Sequence, residues 1–207
     1  MRLRIKACFA GKTQNVRYAH GAGSGLPGSR NTTQSRSGTG VPEGPPKLLV
    51  SACLLGNPVR YDGKSRSLDH AGLQQLLRQG RVIVFCPEVA GGLPVPRAAA
   101  EIIAGDGSAV IAGTARVKTR GGDDVSEFFL AGAEQALGLC RQQDISVAVL
   151  TELSPSCGSG QIYDGSFTRR SINASGVTTS LLQQHGIKVF NQYQIDEALD
   201  CLIRTSN

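Results

Sequence analysis

The chain has 207 residues, 40% of them apolar and 18% charged, and its formal net charge is +6. This length and apolar content suit one domain with a hydrophobic core. The positive charge is confined to the start: residues 1–47 hold 8 basic residues and 1 acidic residue, whereas residues 48–207 hold 14 and 15. The globular part therefore lacks the basic surface of a nucleic-acid-binding domain.

Residues 1–46 are predicted to be a disordered basic tail. The second half of this segment is mostly Gly, Ser, Pro, Thr, Asn and Arg, so burial cannot offset the entropy lost on ordering. The apolar stretch 7–10 is too short for the core of a secretory signal. Met1 is the only methionine, and we hypothesise that translation starts downstream, at about Val41.

From residue 47 onward, strands and helices alternate. The predicted strands are 47–52, 81–85, 146–150 and 187–190, and 109–112 is a strand or part of a hairpin. The predicted helices are 67–79, 125–142 (capped by Asp123 or Asp124), 177–185 and 194–204, and the stretches 87–97 and 158–176 are irregular. This alternation implies right-handed crossovers in a single α/β domain, 47–207. We expect a three-layer sandwich with an open, mostly parallel, Rossmann-like sheet.

Three cysteines each follow a predicted strand: Cys53, Cys86 and Cys157. Groups at the carboxyl ends of parallel strands face one crevice. The three thiols are therefore expected to converge, which is the geometry of a metal or cluster site. A lone cysteine after a strand is more often a buried apolar residue. Cys140 and Cys201 lie within amphipathic helices and are predicted to be core residues.

Polar side chains accompany two of these thiols. Pro87 favours extended backbone at Cys86, and residues i and i+2 of an extended segment point to the same side. The Glu88 carboxyl can therefore face whatever Cys86 binds and act as a general acid, although a solvated loop glutamate is the commoner case. Ser154 and Ser156 can supply hydroxyls beside the third thiol, or belong to a plain turn.

Other loop residues are less specific. Arg60, Arg97, Arg169 and Arg170 are candidates for holding an anionic or carbonyl-bearing substrate, although arginine is ordinarily a surface residue. The tripeptide Tyr-Asp-Gly occurs at 61–63 and 163–165. Both copies are interpreted as turns, because Asp-Gly is a common turn signal.

Three signatures in these loops match a known family. The first is Ser51–Gly56 with Arg60–Gly63; the second is Cys86–Glu88 with Gly91–Leu93 and Pro96–Arg97; the third is Ser154–Gly158 with Ile162–Gly165 and Gly176–Thr178. Together they resemble the thiouracil desulfidase family, also catalogued as domain-of-unknown-function family 523. The resemblance covers about residues 48–190.

This resemblance implies that Cys53, Cys86 and Cys157 hold a [4Fe-4S] cluster whose fourth iron has no protein ligand. It also implies that Glu88 and a serine are catalytic, and we assign the serine to Ser154, with Ser156 as the second choice. The expected reaction is non-redox, hydrolytic C–S cleavage: a thiolated pyrimidine such as 2-thiouracil gives uracil and hydrogen sulfide.

The chain departs from the family pattern at two positions. Val59 stands where many members carry a further cysteine, and Thr151 stands where many carry a lysine; the second difference bears on substrate choice. Two other functions remain open. One is a zinc hydrolase with three cysteine ligands and a water. The other is a non-catalytic Fe–S-binding or redox-sensing protein.

The expected partner is a small-molecule thiolated base, with no role for intact nucleic acid or a membrane, and the oligomeric state is left open. No export signal accompanies the six cysteines. A cytoplasmic location is therefore expected, where clustered thiols are reduced and serve as ligands or catalytic groups.

Overall fold

A computed structural model describes residues 44–205. Most of the predicted tail, 1–46, lies outside this range, as does the hypothesised start at Val41. Within the range, no helix is both long enough and apolar enough to cross a membrane.

Residues 44–205 form eight strands and six α-helices. The strands are β1 (Leu48–Ser51), β2 (Val82–Phe85), β3 (Ala100–Ile103), β4 (Arg116–Thr119), β5 (Val147–Leu150), β6 (Gln161–Tyr163), β7 (Ser171–Asn173) and β8 (Lys188–Asn191). The helices are α1 (Ala71–Arg78), α2 (Pro87–Ala90), α3 (Gly107–Ile111), α4 (Ser126–Gln142), α5 (Val177–Gln184) and α6 (Ile195–Arg204).

The central sheet has four parallel strands in the order β2-β1-β5-β8. The continuous apolar runs of β1 and β5 are buried throughout, as expected for strands covered on both faces. Leu48 and Val50 pack with α1 and α6, whereas Leu49 packs with α4 and α5. The predicted three-layer α/β sandwich is thus confirmed.

The strand order places a topological switch at β1 and β5. From β1 the chain continues to β2 on one side of the sheet, and from β5 it continues to β8 on the other. In open α/β sheets, ligands bind in the crevice outside the carboxyl ends of strands at such a point. The fold therefore directs attention to the loops that follow β1, β2 and β5.

Two antiparallel hairpins lie outside the central sheet, and neither was fully predicted. β3 pairs with β4, and β6 pairs with β7. The expected strand at 109–112 is wrong, because these residues belong to α3 and the turn after it. Asp106 caps α3 by accepting a hydrogen bond from the Ala109 amide at 2.9 Å. A four-residue apolar run has no usable periodicity, so the cap decides its conformation.

The two stretches expected to be irregular each contain regular structure. Residues 87–97 include the short helix α2, and residues 158–176 include the β6–β7 hairpin. The first Tyr-Asp-Gly segment is a turn, as predicted, whereas in the second Tyr163 is the last residue of β6 and only Asp164 and Gly165 lie in the loop between β6 and β7. The angle φ is +72° at Gly63 and +86° at Gly165. The predicted cap of α4 by Asp123 or Asp124 is wrong, because the helix begins at Ser126 and Val125 is its N-cap residue. Asp124 nevertheless accepts a hydrogen bond from the Ser126 amide, at 2.9 Å.

Candidate active site

A cavity of about 450 Å³ lies at the carboxyl ends of β1, β2 and β5. Cys53 lies in the 3-10 turn Ala52–Leu55 that follows β1, Cys86 lies between β2 and α2, and Cys157 lies in the loop after β5. All three line the cavity and are free thiols. The structure thus brings together three residues that are far apart in sequence, because their strands are parallel neighbours.

The three thiols occupy a largely buried environment. Burial raises the pKa of Cys53 and raises that of Cys86 to about 11. The pKa of Cys157 is raised by burial first, and then by Glu88 and the other two thiolates. Burial therefore keeps the three thiols protonated in the absence of a nearby cation. Metal binding requires the thiolate form, so a bound metal would offset its negative charge.

Hydroxyl groups contact two of the three sulfurs. Cys53 Sγ and Thr151 Oγ1 are 2.9 Å apart, and Ser51 donates a hydrogen bond to Cys157 Sγ at 3.7 Å. Ser51 Oγ also accepts a hydrogen bond from the Thr151 amide at 3.1 Å. The family position occupied by Thr151 in this chain is therefore directly beside a thiol, and Val59, the other departure, also lines the cavity.

Glu88 is fixed between two side chains. Its Oε2 accepts hydrogen bonds from Arg97 Nε at 2.9 Å and Nη2 at 2.7 Å, and its Oε1 accepts one from Ser154 Oγ at 3.1 Å. Arg97 is itself anchored, because it donates to the carbonyls of Pro94 and Val59, both at 3.1 Å. The carboxylate therefore has one orientation within the cavity.

The two candidate serines have different environments. Ser154 lines the cavity, and its Oγ accepts hydrogen bonds from the amides of Ser156 and Cys157, each at 3.1 Å. Ser156 is fully buried, and its hydroxyl is 2.8 Å from Thr178 Oγ1 at the start of α5. Ser154 can therefore reach a bound molecule, whereas Ser156 connects its loop to α5.

The four candidate arginines also differ in their environments. Arg60 and Arg169 line the cavity, Arg97 holds Glu88, and Arg170 lies near Asp164 at 3.7 Å. Cys140 and Cys201, predicted to be core residues, belong to the clusters on opposite faces of the sheet.

Sequence reasoning missed two buried carboxylates that line the cavity. Glu152 accepts hydrogen bonds from the amides of Ser159 and Gly160, both at 3.0 Å, and from the Gln161 amide. It thereby holds the loop that follows Cys157. Its place in the sequence just beyond the end of β5 was a usable signal. Glu101, in β3, carried no such signal, because the strand itself was not predicted.

The donor set suits an iron–sulfur cluster. Such clusters are held by cysteine thiolates, and the three residues that converge on the cavity are cysteines with free thiols.

The fold and the cavity define an α/β protein with a thiol-lined cavity at the switch point of a parallel sheet. The model of the family described as 2-thiouracil desulfurase matches residues 48–194. The chain belongs to this family.

Two relatives extend the comparison. A solved structure of the [4Fe-4S]-dependent thiouracil desulfidase TudS is 50% identical, with a TM-score of 0.69, and the match covers 76% of this chain and 97% of that one. The uncharacterized protein YbbK of Bacillus subtilis (strain 168) is 40% identical over 152 residues, which are 73% of this chain and 99% of YbbK.

Proposed function

We propose that the protein is a [4Fe-4S]-dependent desulfidase that converts 2-thiouracil-type bases and water into the oxo base and hydrogen sulfide. The observation that carries this proposal is the convergence of three free thiols and a fixed glutamate on one cavity. Membership of the family and the likeness to TudS support the same function.

Cys53, Cys86 and Cys157 would hold the cluster, and three free thiols, of which Cys53 and Cys157 are buried and Cys86 is half-buried, fit that role. With only three protein ligands, the bound cluster supplies an open, thiophilic iron that acts as a Lewis acid toward the substrate sulfur. The zinc alternative is not favoured, because the matching family is described as 2-thiouracil desulfurase and the solved relative is [4Fe-4S]-dependent.

Glu88 is the proposed proton-transfer group. Water must lose a proton as it adds to the ring carbon, and the departing sulfur must gain one, so a positioned carboxylate serves both needs. Arg97 holds Oε2 of Glu88, and Ser154 holds Oε1. Ser154 can thus orient water or relay a proton to Glu88, which follows the usual arrangement of a reacting group, a base and a group that orients the base.

The cavity favours a small-molecule partner. Its volume of about 450 Å³ falls in the usual range for small-ligand pockets, roughly 300–1,000 Å³. We propose a free thiolated base rather than intact nucleic acid, because residues 48–207 carry no excess of basic residues. A cytoplasmic location is proposed with it, because the cysteines described between 44 and 205 are free thiols, which suits a reducing compartment.

The test is anaerobic reconstitution with iron and sulfide, followed by assay of 2-thiouracil for uracil and hydrogen sulfide. We expect a brown protein that releases one sulfide for each uracil formed. Zinc-loaded protein, which is colourless, is the control and is expected to be inactive. A brown protein that releases no sulfide from thiolated bases would favour the redox-sensing alternative.

A further inference from the structure

Glu101 is a third acid in the cavity, in addition to Glu88 and Glu152, and one of its carboxylate oxygens makes no hydrogen bond within residues 44–205. It is 7% exposed and lines the cavity. Its Oε2 accepts a hydrogen bond from the Phe167 amide at 3.0 Å. Within residues 44–205, Oε1 has no hydrogen-bond partner, and Lys118, directly opposite on β4, makes no ion pair with it. Oε1 is not one of the fully buried unpaired atoms of this range, so solvent reaches it. A donor group of a ligand in the cavity can take the place of that solvent.

The orientation of Glu101 is set by the tip of the β6–β7 hairpin. Phe167 has a left-handed backbone, φ +58°, which is strained for a bulky residue. Arg120 holds it there, since its Nη2 donates to the Phe167 carbonyl at 3.2 Å and its guanidinium lies 5.4 Å from the ring centroid. The Phe167 amide is thus fixed, and it commits Oε2 of Glu101 while Oε1 remains available.

We propose that Glu101 is a specificity-determining residue whose Oε1 accepts a hydrogen bond from a ring N–H of the substrate. This inference rests on the proposed desulfidase function. A 2-thiouracil ring carries N–H groups next to the thiocarbonyl, and an ionised acceptor makes the stronger kind of hydrogen bond. Binding one ring edge to Glu101 orients the ring, and Glu88 remains free to transfer protons.

The Glu101→Gln substitution tests this directly. The Phe167 N–H requires an acceptor, so the amide oxygen of Gln is expected to face Phe167 and its NH₂ group to face the cavity. The substitution thereby replaces an acceptor with a donor at nearly constant shape. The matched control is Glu134→Gln, an exposed position on α4 away from the cavity.

The substrates are 2-thiouracil and its 1-methyl and 3-methyl derivatives, assayed with the cluster-loaded protein. For the native protein, we expect kcat/KM for at least one methyl derivative to be roughly 10–100-fold lower, because a charged acceptor is left unpaired. In Glu101→Gln, kcat/KM for 2-thiouracil should fall by a similar factor, and the difference in kcat/KM between 2-thiouracil and the methyl derivative should disappear. Glu134→Gln should behave as the native protein.

A purely structural role for Glu101 gives a different result. If Glu101 only holds the hairpin, the substitution lowers all three rates equally and leaves their ratios unchanged, which overturns the proposal. Cluster absorbance and the thermal midpoint identify a variant that fails to fold. Glu101→Asp, which keeps an acceptor, should then retain part of the discrimination.

Binding of the product separates this inference from the proposed function. Titration calorimetry of the loaded protein with uracil, 1-methyluracil and 3-methyluracil needs no turnover. We expect one methyl derivative to bind at least about tenfold more weakly than uracil, in a manner that depends on Glu101. Equal affinities, or no binding of uracil, would overturn the Glu101 proposal. If the protein binds uracil selectively but releases no sulfide from 2-thiouracil, only the proposed desulfidase function would be overturned.

Discussion

The cavity has two kinds of wall, and they differ in how their side chains are positioned. One wall is the carboxyl edge of the parallel sheet, where Cys53 and Cys86 come just after the ends of β1 and β2 and Cys157 lies in the loop after β5. The other consists of the β3–β4 and β6–β7 hairpins, where Glu101 and Phe167 are held by contacts between side chains and backbone. The rigid hydrogen-bonded sheet is suited to positioning metal ligands. The two hairpins, which are held by a few side-chain contacts, are suited to recognising the substrate.

The largest effect is expected for substitutions of the three cysteines at the carboxyl edge of the parallel sheet. Cys53→Ser, Cys86→Ser and Cys157→Ser should each abolish cluster binding, because the hydroxyl is a poor substitute for a thiolate ligand. Iron content and visible absorption after anaerobic reconstitution measure this. Cys140→Ala, in the core cluster beneath the sheet, should lose stability but retain the cluster. Normal iron in any of the three Ser variants would remove that residue from the ligand set.

Glu88→Gln is expected to separate cluster binding from turnover. The amide can still accept a hydrogen bond from Arg97 but is not a base, so we expect sulfide release to fall roughly 10²–10⁴-fold. The brown colour should persist. Glu134→Gln again serves as the control. Unchanged desulfuration in Glu88→Gln would exclude this carboxylate from the mechanism.

The two serines of the third loop should differ in their effect on turnover. Ser154→Ala removes the donor to Glu88 and should lower kcat by about 10²-fold; it should also lower stability, because the amides of Ser156 and Cys157 lose their acceptor. Ser156→Ala leaves the Thr178 hydroxyl buried without its partner and should cost about 1–3 kcal/mol in the free energy of unfolding. Chemical denaturation and steady-state kinetics on both variants check this. The reverse pattern would make Ser156 the catalytic serine.

The smallest expected effects are the stability losses caused by substituting the glycines of the two Tyr-Asp-Gly segments, Gly63 and Gly165. Gly63→Ala should cost about 1–2 kcal/mol, because the left-handed backbone disfavours a side chain although the added Cβ has no neighbour within 4 Å. Gly165→Ala should cost roughly 1–3 kcal/mol more, because its Cβ would lie 2.6 Å from the Ile102 carbonyl oxygen. Thermal unfolding measures both changes. Equal losses would mean that the hairpin tip can move away from β3.

The parts of the site that could be predicted lie next to strong local patterns. Cys53 and Cys157 follow apolar runs that only a doubly covered strand explains, and Glu88 is two residues from Cys86. The missing parts depend on partners distant in sequence. Glu101 belongs to a strand defined only by its pairing with β4, and Phe167 belongs to a hairpin whose strands have three residues each. Such short strands leave no periodic pattern.

The amino-acid sequence alone determined the parallel α/β architecture and the common edge of the three thiols, because apolar runs and the alternation of strands and helices are local patterns along the chain. The tertiary structure decided how that edge is used. It paired Glu88 with Arg97 and Ser154, directed Ser156 toward Thr178, and placed Glu101 in the wall of the cavity. These choices depend on a few hydrogen bonds and close packing between loops, and such contacts exist only once the sheet has positioned the loops.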